Sequence, residues 1–200
     1  MTERSEASRR CVLGLLASPL VCSAFPRATA APTSPGGSAI TPPPEVLREL
    51  PAARLLGSGR LRRFLFHVYD ARLWTGPGFD VARWSMEPLA LELEYGRTLY
   101  GPLSAERSIE EMRRGADISP AQQGVWLAAM QRAFPDVNEG DRMTGVQLPG
   151  VATRFFVNDR LTGEIRDAEF TRLFFGIWLA PHTSEPRLRA ALLAGAPGGS

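Results

Sequence analysis

Between Asp167 and Pro181 the chain carries Phe170, Leu173, Phe174, Ile177 and Trp178 at three- and four-residue steps, with Phe175 on a neighbouring face. The period is helical, and apolar residues cover so much of the circumference that the helix must be almost wholly buried. A helix of this kind needs a broad apolar surface to lie against, and the preceding segments supply one. Met143 to Leu148 and Thr153 to Val157 read as a hairpin around Pro149-Gly150. A turn at Asn158-Asp159 then leads to Gly163-Glu164-Ile165. Upstream, Leu89 to Tyr95 alternates apolar and polar residues, as a half-buried antiparallel strand does, which puts Glu92 and Glu94 on a wet face. Leu61 to Trp74 reads as one strand after a turn at Gly57-Ser58-Gly59, with Phe64, Phe66 and Val68 sharing a face at period two.

Helices are predicted in the middle and at the end. Ser104 is placed to cap a helix reaching Arg114, with Ile109 and Met112 on one side. Ser119-Pro120 supplies a cap and first position for a second helix to Phe134, striped by Val125, Trp126, Ala129, Met130 and Ala133. Asp167 caps the buried helix, Pro181 ends it, and a short helix follows from Glu185 to Leu193. Strands, helices, strands and helices again make an α+β fold with a mostly antiparallel sheet covered on one face by helices.

The chain divides into four parts. Residues 1–30 have the form of an export signal: a basic start with Arg4, Arg9 and Arg10, an apolar run from Cys11 to Phe25, and a small-x-small site at Ala28-Thr29-Ala30. Ser8-Arg9-Arg10-Cys11-Val12-Leu13 resembles a twin-arginine signal. The apolar run is shorter than the roughly 20 residues a membrane helix needs, and no later segment is apolar enough to span. Residues 31–50, rich in Pro and Gly, read as a tether. Residues 51–194 form the domain, and 195–200 a flexible tail. The expected destination is periplasmic or secreted.

Composition excludes more than it assigns. Cleavage after Ala30 removes Arg4, Arg9, Arg10 and Arg27 with Glu3 and Glu6, leaving 19 basic and 19 acidic residues. Without a basic stripe there is no nucleic-acid footprint, and no polybasic membrane patch is visible. Both cysteines, Cys11 and Cys22, lie in the leader, so the remainder has no thiol for a disulfide, a nucleophile or a metal. The chain has no lysine, which excludes Schiff-base chemistry. His67 and His182 are far apart in sequence, and neither has a visible carboxylate partner. No metal site, cofactor motif, phosphate loop or nucleophile elbow is present.

Four stretches taken in order, Gly59-Arg60-Leu61-Arg62, Val68 to Trp74, Phe134 to Asp141 and Phe174 to Leu179, resemble the bacterial chalcone isomerase-like proteins. The resemblance implies an open-faced sandwich. Plant members close a flavanone ring, with an arginine after a Gly-x-Gly turn offsetting the developing negative charge. Arg60 or Arg62 matches that arginine, and Tyr69 matches a hydroxyl-bearing position on the next strand. Tyr100 lies near the family's catalytic tyrosine, although Leu103 matches it equally well. Residues 104–114 contain no asparagine where the family has one, which argues against ring closure.

Other relatives bind fatty acids in the same cleft, through an arginine and a tyrosine. By that analogy Arg60 or Arg62 with Tyr69 forms the polar end, and Phe64, Phe66 and Leu91 line the rest. Arg97 and Tyr100 follow the amphipathic strand and are further candidates to face the cleft. The reading leans to a binding module without a cofactor, taking a small apolar or fatty-acid-like ligand. The alternatives are an intramolecular lyase acting on an enone and an envelope partner protein without ligand. Oligomeric state is left open.

Overall fold

A computed structural model describes residues 40–196. The export signal assigned to 1–30, residues 31–39 of the tether and residues 197–200 lie outside the described residues. In chain order the elements are α1 (Pro44–Glu49), β1 (Arg54–Arg63), β2 (Phe66–Thr75), a short 3-10 helix (Val81–Met86), β3 (Leu89–Tyr95), α2 (Gly101–Met112), α3 (Pro120–Ala133), β4 (Arg142–Leu148), β5 (Ala152–Val157), β6 (Arg160–Ile165), α4 (Ala168–Leu179) and α5 (Pro186–Leu192). The six strands form one antiparallel sheet in sequence order, from β1 to β6. Among the described residues no helix is long and apolar enough to cross a membrane.

Pleating sorts β3 as its alternation predicts. Leu89, Leu91, Leu93 and Tyr95 join the principal core beneath the helices, with Leu73 opposite Leu91 and Met143 opposite Leu93. The fully buried stripe of α4 lies on this face. Phe174 is its hub: its ring stacks on Phe170 at 5.5 Å and meets Phe155 edge-on at 5.1 Å and Trp178 at 5.5 Å. Asp167 caps α4 through the amides of Glu169 and Phe170, and its other oxygen accepts from the Trp126 indole at 2.9 Å, which ties α3 to the start of α4.

The opposite face is not simply wet. Residues 44–49, expected as the end of the tether, form α1, whose Val46 and Leu50 cover Trp74, Ala90, Val146 and Phe156 in a second small core. Pro44 does not prevent this, because a proline in the first turn removes an N–H that has no helical acceptor anyway. Glu92 is therefore buried rather than solvated. Its carboxylate accepts from the Trp74 indole at 2.7 Å and from Arg72 at 2.7 Å. Glu45, fully buried, accepts from Thr144 at 2.9 Å and from Arg142 at 3.1 and 3.2 Å. The tail assignment also shortens, since the Gly195 amide bonds to the Leu56 carbonyl and Ala196 is buried.

The segment 61–74 is not one strand. It bends at Phe64-Leu65 into the β1–β2 hairpin, so Phe64 leaves the sheet altogether. Helix α2 starts three residues before the expected Ser104 cap: Asp136 accepts from the Gly101 amide at 2.8 Å and supplies the cap from a distant loop.

Candidate ligand cavity between the sheet and the helices

A cavity of about 360 Å³ opens between the helical face of the sheet and helices α2 and α4. Strand residues Leu61, Val68 and Leu93 and helix residues Leu103, Phe174 and Ile177 make most of it apolar. Its polar groups come from β1, β2, β3, α2, α4 and the segment before α5. Tyr69 and Tyr95 stand opposite each other on β2 and β3, their rings edge to face at 6.2 Å. The Trp178 indole N–H donates to the Tyr69 hydroxyl at 2.9 Å. Burial pushes the Tyr69 phenol up to about 12, and Glu185 and Glu111 push in the same direction, while the bond from Trp178 and the charge of Arg63 oppose them. Burial raises Tyr95 as well.

The cations on this wall are Arg63 and Arg107. Arg63 contacts Glu185 at 2.6 Å. Arg107 on α2 donates to Glu110 at 2.9 Å and to Glu111. The second oxygen of Glu111 is buried, has no hydrogen-bond partner among the described residues, and lies 3.8 Å from the Arg114 guanidinium. The arrangement therefore presents balanced ion pairs, a tyrosine hydroxyl and serine hydroxyls at the edge of an apolar hollow. It is suited to orienting a ligand with a long apolar part.

Of the residues read from sequence, Tyr69 and Tyr100 line the cavity and Arg60, Arg62 and Arg97 do not. Arg60 projects to the opposite face, where it makes a two-pronged contact with Asp70 at 2.6 and 2.8 Å. That contact holds the Asp70 carboxyl below the usual carboxylate range. Arg62 is exposed, paired with His67 across the hairpin. Arg97 is exposed with its guanidinium 5.5 Å from the centre of the Phe66 ring. Phe64 and Phe66 are exposed at the hairpin, and Leu93 lines the cavity instead of Leu91.

The reason lies in register. Alternation along β1 turns Leu61 and Arg63 toward the cavity and Arg60 and Arg62 away from it, while the irregularity opposite Leu61 and Arg62 falls in β2, where consecutive Val68 and Tyr69 both border the cavity. Nothing in the Arg-rich run from 60 to 63 signals which of the two sets the helices cover. The Arg107–Glu111 pair had a legible signal, an (i, i+4) spacing on a predicted helix. Trp178 was visible as part of the core stripe, but its polar edge was not. His67 is half-buried against Gly96 and has a carboxylate neighbour after all, Asp70 at 3.5 Å. Among the described residues no group of three His, Cys, Asp or Glu side chains is placed to hold a metal ion.

Residues 53–194 match the family described as chalcone isomerase-like. The chain belongs to this family. A relative from Haemophilus influenzae, described as an uncharacterized protein, is 31% identical over 128 residues, which cover 64% of this chain. The same match covers 61% of that relative, so the chain spans less than two thirds of its length. Among solved structures, a fatty-acid binding protein of Arabidopsis thaliana superposes with a TM-score of 0.55 at 10% identity, covering 71% of this chain and 87% of that one. At this identity the likeness establishes that the two share the chalcone isomerase-like fold, with six antiparallel strands and overlying helices.

Proposed function

We propose that this chalcone isomerase-like protein is an exported, non-catalytic carrier of a small apolar or acyl-chain ligand, held in the cavity between β1–β3 and helices α2 and α4. The observation that carries the reading is the cavity itself. About 360 Å³ of apolar hollow, closed at the sheet by Tyr69 and Tyr95 and edged by paired charges, has the volume and lining of a small-molecule site. The fatty-acid binding protein of Arabidopsis shares the fold, which adds a precedent for this ligand class. The absence of asparagine from residues 104–114 weighs against ring closure. Export is supported by the Arg9-Arg10 pair, the apolar run after it and Ala28-Thr29-Ala30.

The experiment is organic extraction of the purified protein followed by mass spectrometry, with displacement of Nile red by fatty acids and fatty alcohols of graded length. Co-purifying lipid and saturable displacement are expected. Ser104→Trp, on the cavity wall, is expected to weaken binding at least about tenfold by filling the hollow. A lipid-free extract with no displacement would overturn the proposal. Turnover of an enone panel above the buffer rate would reassign the cavity to isomerase chemistry.

A further inference from the structure

The turn joining β1 to β2 exposes three consecutive apolar side chains: Phe64 at 98%, Leu65 at 93% and Phe66 at 63% of their full surface. Such a run is unfavourable in water and does nothing for the core, which neither Phe64 nor Leu65 touches. It is also poor turn chemistry. Phe64 adopts φ of 56°, a left-handed conformation that a hairpin turn normally assigns to Gly or Asn. Two independent preferences, for solubility and for backbone conformation, are thus overridden at the same residue.

Positive charge collects at the base of the same tip. Arg63 pairs with Phe66 and Arg62 with His67 across the hairpin. The loop after β3 lies alongside, since the Gly96 amide donates to Val68 at 2.9 Å, and it brings the Arg97 guanidinium over the Phe66 ring at 5.5 Å. Arg63 is contacted by Glu185, while Arg62 and Arg97 are exposed. The tip also continues into the cavity. Leu61, Arg63 and Val68 of this hairpin border it, and two exposed residues on its wall, Tyr100 and Leu103, add apolar surface.

We infer that the Phe64-Leu65-Phe66 tip, with Arg62, Arg63 and Arg97 at its base, docks the protein on an anionic bilayer surface. The shape selects this occupant. A protein partner or a second copy needs roughly 800 Å² of complementary surface on each side, and a two-residue turn projecting from a sheet is a convex knob. A bilayer interface accepts a knob: aromatic and aliphatic side chains enter the acyl boundary, and the guanidinium groups stay at phosphate level. Anionic lipid adds attraction for each arginine near the surface. Contact at the tip would bring the mouth of the cavity beside the lipid. The inference does not depend on the cavity holding a ligand.

The test places a reporter at the tip. Phe64→Trp is compared with Val125→Trp, an exposed site on α3, in the full chain, with the parent's own tryptophan signal subtracted. Vesicles contain brominated phosphatidylcholine with or without one-quarter phosphatidylglycerol. The expected result is quenching of the tip tryptophan on anionic vesicles, at least about tenfold weaker binding to neutral ones, and no quenching at position 125. The double substitution Phe64→Gly with Leu65→Ser should abolish sedimentation with anionic vesicles and leave the melting temperature unchanged or higher, because Gly suits the turn. Equal quenching at both positions, or at neither, would overturn the inference. So would equal binding to neutral vesicles, or a concentration-dependent dimer that the double substitution dissolves.

Discussion

The Trp178 indole donates to the Tyr69 hydroxyl across 2.9 Å and joins the most buried helix to the second strand where the cavity closes. The bond explains how a tyrosine hydroxyl is held in the wall of an apolar hollow. Burial of the same hydroxyl makes the protein sensitive to alkali. The phenol has an ordinary value of 10.0 and stands near 12 in the folded chain, chiefly because burial opposes the phenolate.

Between those values the unfolded chain loses the proton that the folded chain keeps. The stabilisation is fully present below about pH 10 and is lost as pH rises through the window to about 12, at about 1.4 kcal/mol per pH unit. Urea unfolding between about pH 9 and pH 11 should therefore show falling stability. Tyr69→Phe should flatten the slope and cost about 1–3 kcal/mol at neutral pH, since the Trp178 N–H loses its acceptor. Tyr95, also raised by burial, leaves a residual slope. Parallel pH curves for the two proteins would count against this account.

Glu45 anchors α1 from a fully buried position by accepting from Arg142 and Thr144. Glu45→Ala leaves both donors without their acceptor under α1. We expect a loss of about 2–3 kcal/mol by denaturant unfolding, with the cavity unaffected. Glu45→Gln keeps an acceptor for Thr144 and should cost less. An unchanged midpoint for the alanine variant would show that α1 contributes little.

Two glycines in helices predict opposite signs. A Cβ on Gly101 would stand 2.0 Å from the Phe134 carbonyl oxygen, a backbone atom that cannot swing aside. Gly101→Ala should destabilise by about 2–3 kcal/mol. A Cβ on Gly124, inside α3, meets nothing within 4 Å. Gly124→Ala should stabilise by about 0.5–1 kcal/mol through helix propensity. Thermal denaturation of the pair decides the matter, and a shift of the same sign in both would refute the packing argument.

Elements with strong period were legible in advance. The 170–178 stripe is the helix that the core is built on, and the alternation of 89–95 is a strand with its leucines inward. The misread elements each depended on a distant partner. Glu92 alternates like a surface residue and is buried because α1, from a Pro-rich segment, lies across it. Helix α2 begins at Gly101 because Asp136 reaches back from after α3. The hairpin at Phe64-Leu65 lacks the Gly or Asn that marks such turns.

The α+β class, a mostly antiparallel sheet and the identity of the buried helix follow from the sequence pattern, because burial of one face imposes a repeat of two or 3.6 on any chain that folds this way. Which arginine borders the cavity does not follow from it. Successive strand residues point to opposite faces, so alternation groups Leu61 with Arg63 and Arg60 with Arg62 without saying which group the helices cover. Helices α2 and α4 lie over the face that carries Leu61 and Arg63, and Arg60 faces Asp70 on the far side. Packing of the helices on one face of the sheet made that choice.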